Sequence, residues 1–128
     1  WKEVDVLITS YDLLRRDITD YQELHFFCEV IDEAQYIKNH GTQAARAVKQ
    51  VQTGFRLALT GTPIENRLSE LWSIFDYLMP GYLYSYQRFR TELEQPIVQH
   101  KDEDAAKRLQ RLIRPFVLRR LVHRHQRA

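Results

Sequence analysis

Three short polar stretches hold the residues best suited to chemistry. Asp32 and Glu33 stand side by side immediately after the apolar run at 26–31. Two carboxylates leaving a buried segment need water, a cation or a hydrogen-bond donor, because an unpartnered charge is costly away from water. Magnesium suits them, since it takes oxygen ligands and keeps much of its water shell. One carboxylate can hold the hydrated ion while the other orients and polarises a water for attack on a phosphoryl group. The plainer alternative is an acidic loop that caps the following helix. Thr60-Gly61-Thr62 places two hydroxyls on a tight turn before Pro63, and glycine permits backbone shapes that other residues resist. Those hydroxyls can bond the acidic loop or a phosphate, or can form an ordinary side-chain turn between a strand and a helix. Thr9-Ser10 stands at a helix start. Hydroxyls and backbone N–H groups there can hold a phosphate of a nucleic-acid strand, or Ser10 can be a simple N-cap.

Each stretch follows an apolar run that must position it. Residues 4–9 read as a β-strand, and Ser10 caps a helix from Tyr11 with Leu13 and Leu14 facing inward. The run at 26–31 is too continuous for a strand with one wet face and is expected to be a parallel strand covered on both sides. Residues 42–50 have helix-forming composition, with Thr42 as cap. Residues 55–60 form a third strand, broken by Gly61-Thr62-Pro63 because the residue before proline avoids the helical region. Leu68, Leu71, Trp72, Phe75 and Leu78 recur at helical spacing up to Pro80-Gly81. A second helix is expected over 85–93 and a third over about 102–114. The third has an acidic first turn (Asp102, Glu103, Asp104), a basic last turn (Arg111, Arg114) and an inner face of Ala105, Leu109, Leu112 and Ile113. The alternation of strand and helix argues for an α/β fold: a partial parallel sheet flanked by helices, with further helices added. Ligands of such sheets bind outside the C-terminal strand ends. The three polar stretches are therefore expected to share one rim.

Composition narrows the class. The chain has 128 residues, 44% hydrophobic and 28% charged, which fits a globular domain and excludes a disordered one. No apolar run approaches the roughly 20 residues of a bilayer span. The first residues, Trp1-Lys2-Glu3, carry neither an initiator methionine nor a signal stretch, so the chain reads as a segment of a longer protein. Cys28 is the one cysteine, which excludes an internal disulfide and fits a reducing compartment. It lies mid-strand, not at a helix start or beside an evident histidine, so it reads as an inert, buried thiol rather than a nucleophile. His25, His40 and His100 lack metal-ligand spacing. Residues 1–87 hold 8 Lys/Arg against 12 Asp/Glu, and residues 88–128 hold 11 against 5. Such asymmetry fits either a polyanion partner or a solvated helix face. Tyr82, Tyr84, Tyr86, Arg88, Phe89 and Arg90 interleave aromatics with cations. That mixture can stack bases, but core packing is the expectation for the rings.

Four passages together resemble the Swi/Snf family of helicase-like ATPases, in helicase superfamily two. Val6-Leu7-Ile8-Thr9-Ser10-Tyr11-Asp12 is similar to the family's motif Ib. Val30-Ile31-Asp32-Glu33-Ala34-Gln35-Tyr36-Ile37-Lys38-Asn39 is similar to motif II, the DEAH-type box. Arg56-Leu57-Ala58-Leu59-Thr60-Gly61-Thr62-Pro63-Ile64-Glu65-Asn66 is similar to motif III and continues into the stretch at 71–81. Arg114-Pro115-Phe116-Val117-Leu118-Arg119-Arg120 resembles the segment that closes the first lobe.

The resemblance implies the C-terminal part of a first RecA-like lobe. Residues 1–81 would be the back half of that lobe, 82–114 a helical protrusion, and 115–128 a closing segment with a basic tail. Asp32 would hold the Mg2+ of Mg-ATP, through water, and Glu33 would activate the attacking water. Gln35, where histidine is common in eukaryotic members, would link the nucleotide to the neighbouring motif. Thr60, Gly61 and Thr62 would couple hydrolysis to lobe movement, and Thr9 and Ser10 would touch the DNA backbone. The implied partners are double-stranded DNA, the P-loop half and second lobe of the parent ATPase, and a DNA-bound protein target, with no membrane. The implied location is cytoplasm or nucleoid in a bacterium, or the nucleus in a eukaryote. Two departures stand out. The phosphate-binding loop is absent from these 128 residues, so the chain alone is expected to be inactive. The family's pattern also lapses after Arg120. The alternative function is a non-catalytic scaffold for nucleic acid or protein with a degenerate nucleotide site. The intact acidic pair favours the motor.

Overall fold

The computed structural model describes residues 3–61 and 67–120. At its centre two strand segments run parallel. β1 (His25–Phe26) pairs with β3 (Gln52–Thr53), and β2 (Glu29–Ile31) pairs with β4 (Arg56–Ala58). The register is the same on both sides of the break: His25 lies opposite Gln52, and Glu29 opposite Arg56. Backbone bonds span the break, from Gly54 N–H to the Phe26 carbonyl (3.2 Å) and from Glu29 N–H to the Phe55 carbonyl (2.9 Å). The Thr53 hydroxyl also donates to the Phe55 carbonyl, at 2.9 Å.

Parallel neighbours need a crossover. Here a 3-10 turn (Ala34–Ile37) and α3 (Gln43–Gln50) supply it. Thr42 caps α3, its hydroxyl accepting from Ala45 N–H at 3.2 Å as expected. Ala44, Ala45, Ala47 and Val48 are the buried residues of α3. α1 (Tyr11–Arg16) and α2 (Ile18–Gln22) place Leu14 and Tyr21 in the same core.

α4 (Leu68–Leu78) serves two cores. Ile74 and Tyr77 join Ile31, Ile37 and Val48 beneath the sheet. Leu71, Trp72 and Phe75 join Leu83, Phe89, Leu93, Leu109 and Ile113 among the later helices. Each such side chain contributes about 1.5–3 kcal/mol by leaving water. The later helices are α5 (Tyr86–Phe89), a π-helical turn (Arg90–Glu94), α6 (Gln95–His100) and α7 (Glu103–Ile113), followed by a 3-10 turn (Arg114–Phe116). The helix expected over 85–93 thus continues to His100. Pro96 stands in the first turn of α6, where its missing N–H costs little, and the preceding π-helical turn absorbs the altered ladder. Asp102 caps α7 through Oδ1, which accepts from the N–H groups of Asp104 and Ala105.

A buried polar lock ties sheet to helix. The Tyr77 hydroxyl donates to Glu29 Oε1 (2.7 Å), and Arg56 donates to the carbonyls of Tyr77, Lys49 and Val51 (3.0, 2.8 and 3.0 Å). Arg56 Nε stands 3.3 Å from Glu29 Oε1 as an ion pair but outside hydrogen-bonding geometry. Burial pushes the Glu29 carboxyl up, against the pull of the Tyr77 hydrogen bond and the Arg56 charge.

Two expectations are corrected. Residues 4–9 are not a strand: among the described residues nothing pairs with them, and Val6 and Ile8 are 73% and 90% exposed. An extended segment without a ladder partner has no reason to be a strand. The sheet is also covered on one side only by the described residues. Ile31 points into the core while Val30, Leu57 and Leu59 on the opposite face are about half exposed. Cys28, at the strand break, is half-buried. No helix among the described residues is long and apolar enough to cross a membrane.

Candidate functional site

The parallel register brings the C-terminal ends of β2 and β4 to the same rim. Leu59 N–H donates to the Ile31 carbonyl (2.9 Å), and Ala34 N–H donates back to the Leu59 carbonyl (2.8 Å). These bonds stitch the loop that carries Asp32-Glu33 to the segment that carries Thr60-Gly61. Thr62 lies outside the described residues.

Three side chains form a relay along the rim. The Thr60 hydroxyl donates to Gln35 Oε1 at 2.8 Å, and Gln35 Nε2 donates to Glu33 Oε2. The amide of Gln35 can do both at once because it carries an acceptor and a donor. Glu33 sits at φ 51° and ψ 53°, a left-handed conformation that costs a non-glycine residue about 1–2 kcal/mol. Asp32 Oδ1 accepts from Glu33 N–H at 2.8 Å. Its second carboxylate oxygen takes no hydrogen bond among the described residues, and both acids are exposed to solvent.

A tyrosine pair closes the other side of the loop. The Tyr11 hydroxyl donates to the Asp32 carbonyl at 2.6 Å, and its ring stacks on Tyr36 with centroids 4.7 Å apart and planes 19° from parallel. Burial, then the charges of Asp32, Glu29 and Glu33, push the Tyr11 hydroxyl up to about 12. It is therefore a donor throughout the neutral range. Neither tyrosine stood out as a site residue in the sequence. Tyr11 follows Ser10 directly, but nothing in residue spacing signals a bond across the fold to Asp32.

Ser10 is the N-cap of α1: its hydroxyl accepts from Leu13 N–H at 3.2 Å. Thr9 and Ser10 are exposed, and the residue after them touches the acidic loop. Three acidic, histidine or cysteine side chains nowhere converge in a metal-binding group among the described residues. The aromatic-cationic stretch packs largely as expected. Phe89 is fully buried, the Tyr82 hydroxyl donates to the Leu112 carbonyl (2.6 Å), and Trp72 Nε1 donates to the Tyr84 carbonyl (3.2 Å). The guanidinium groups of Arg88 and Arg108 stand 4.0 and 5.6 Å from the centre of the Tyr84 ring.

The SNF2-related domain matches residues 1–126. The putative ATP-dependent helicase/translocase YwqA of Bacillus subtilis is 43% identical over 120 residues, covering 94% of this chain and 13% of that protein. The human TATA-binding protein-associated factor 172 is 37% identical over 131 residues, covering 94% of this chain and 7% of that protein. Among solved structures, the Sulfolobus solfataricus SWI2/SNF2 ATPase core in complex with dsDNA matches with a TM-score of 0.80 and 46% identity, over 86% of this chain and 23% of that one. The chain thus spans a small part of each relative.

Proposed function

From the premise that this chain belongs to the SNF2-related domain family of helicase superfamily two, with a fold matching part of the SWI2/SNF2 ATPase core, we propose that it carries the hydrolytic acids and part of the coupling network of an ATP-driven double-stranded DNA translocase. In this reading residues 1–81 are the back half of the first lobe, 82–114 the protrusion and 115–128 the closing segment.

The observation that carries the reading is the relay at the shared rim. Gln35 bonds both Glu33, after β2, and Thr60, after β4. The fit to Mg2+ rests on the donor set. Asp32 presents a solvent-exposed oxygen that takes no hydrogen bond among the described residues, which suits an ion that keeps its waters and takes its remaining ligands from substrate phosphates. Asp32 would hold that ion through water, and the bound ion would neutralise charge on the phosphates of ATP. Glu33 orients the attacking water and accepts its proton. Gln35 fixes which Glu33 oxygen faces that water, and Thr60 fixes Gln35. Thr60, Gly61 and Thr62 would couple hydrolysis to movement of the second lobe. Thr9 and Ser10 contact the DNA backbone, whose phosphates suit hydroxyl donors at a helix start. The relatives' names point the same way: one is a helicase/translocase, and one structure holds double-stranded DNA. The other relative named is associated with a TATA-binding protein, so a DNA-bound protein is the fitting target.

The test is phosphate release by the full-length protein at saturating Mg-ATP, with and without linear duplex DNA. The reading expects duplex DNA to accelerate turnover. A protein that binds DNA with no ATP turnover at all would instead be the scaffold with a degenerate nucleotide site.

A further inference from the structure

We propose that Tyr11 is a positioning residue for the hydrolytic loop, through its hydroxyl on the Asp32 carbonyl and its ring on Tyr36. The inference rests on the functional reading above and adds to it a residue.

The peptide unit joining Asp32 to Glu33 decides where both carboxylates point. Its N–H is used locally, on Asp32 Oδ1. Its carbonyl accepts the Tyr11 hydroxyl, the one tertiary hydrogen bond on that unit among the described residues. The unit leads into Glu33 at φ 51°, a backbone state that persists only where its surroundings hold it. Ala34 N–H, tied to the Leu59 carbonyl, holds the far side of Glu33. Tyr11 holds the near side. Releasing either side frees Glu33 to return to an ordinary conformation and turn its carboxylate away from Gln35.

Tyr11 is also the first residue of α1, directly after the Ser10 cap. The helix is fixed at its far side: Leu14 is buried, and Arg15 donates to Gln43 on α3 at 2.9 Å. This anchoring holds the Tyr11 hydroxyl against the Asp32 carbonyl without an intervening residue. The Tyr36 stack adds a second contact to the 3-10 turn on which Gln35 also stands.

The experiment measures phosphate release by the full-length protein over a titration of linear duplex DNA, and separately over ATP. Tyr11→Phe keeps the ring stack and removes the hydroxyl, so the fold is preserved. Tyr11→Leu removes both contacts. The expectation for Tyr11→Phe is a roughly tenfold lower maximal DNA-stimulated turnover, with KM for ATP and half-saturating DNA within about twofold of wild type. Tyr11→Leu should fall further. A Tyr11→Phe protein stimulated like wild type overturns this inference alone. So does a loss that excess DNA or ATP restores, because that would be a binding effect. Wild-type turnover that ignores duplex DNA overturns the translocase reading and this inference with it.

Discussion

Replacing Gln35 separates the relay from the fold. Gln35→Leu removes the acceptor for Thr60 and the donor to Glu33 in one step. Glu33 is exposed and Thr60 and Gln35 are half-buried, so water replaces much of what is lost. With a net hydrogen bond near 1 kcal/mol when buried, the stability change should stay under about 1 kcal/mol. The rate effect should be larger. Glu33 keeps its carboxylate but loses the neighbour that fixes its orientation, and misplacement of about 1 Å can cost up to about a hundredfold. We expect kcat to fall 10- to 100-fold, about 1.4–2.7 kcal/mol in barrier, with KM for ATP little changed. Gln35→His supplies the counter-test. A neutral imidazole offers one donor and one acceptor, so it can serve Glu33 and Thr60 together and keep substantial activity. Once protonated, with an unperturbed pKa near 6.5, it has no acceptor for Thr60, and activity should drop on acidification more steeply than in wild type. The assay is steady-state phosphate release in full-length protein with duplex DNA, beside urea unfolding. Turnover of Gln35→Leu within twofold of wild type would refute the relay.

Two further predictions concern the fold. Burial raises the Glu29 carboxyl, so folding binds its proton more tightly than the unfolded chain does. The stability this contributes is fully present below the unfolded carboxylate value and is lost as pH rises through the raised folded value. Wild type should therefore gain stability relative to Glu29→Gln as pH falls from neutral towards 4, read as a shift in urea midpoint; a pH-independent gap would contradict it. Phe89→Ala empties a fully buried site in the second core and should cost about 3–5 kcal/mol; a loss below about 1 kcal/mol would show that this core does not depend on it.

What the sequence disclosed follows from how local each signal is. The caps at Ser10 and Thr42 were legible because a capping hydroxyl bonds a backbone N–H three residues on, whereas Asp102, expected in the first turn of α7, is its cap. The shared rim of Asp32 and Thr60 was legible because two apolar runs joined by a helix must pair in parallel and end together. Residues 4–9 have strand-forming types without being a strand, because a ladder depends on a neighbour that those types do not reveal. Expected cover on both sheet faces likewise needed more chain than the described residues provide. The π-helical turn and the continuation through Pro96 were missed because proline reads as a breaker unless its place in a helix turn is known. The bonds of Tyr11 to Asp32, and of Tyr77 and Arg56 around Glu29, join residues far apart in sequence whose types carry no mark of partnership.

The most direct measurement is Glu33→Gln in the full-length protein, read by phosphate release at saturating Mg-ATP and duplex DNA, beside nucleotide binding by a fluorescent ATP analogue. The amide keeps the shape and the hydrogen bonding of the side chain but cannot accept the proton of an attacking water. The account predicts loss of turnover with nucleotide binding largely intact. Turnover close to wild type would contradict it.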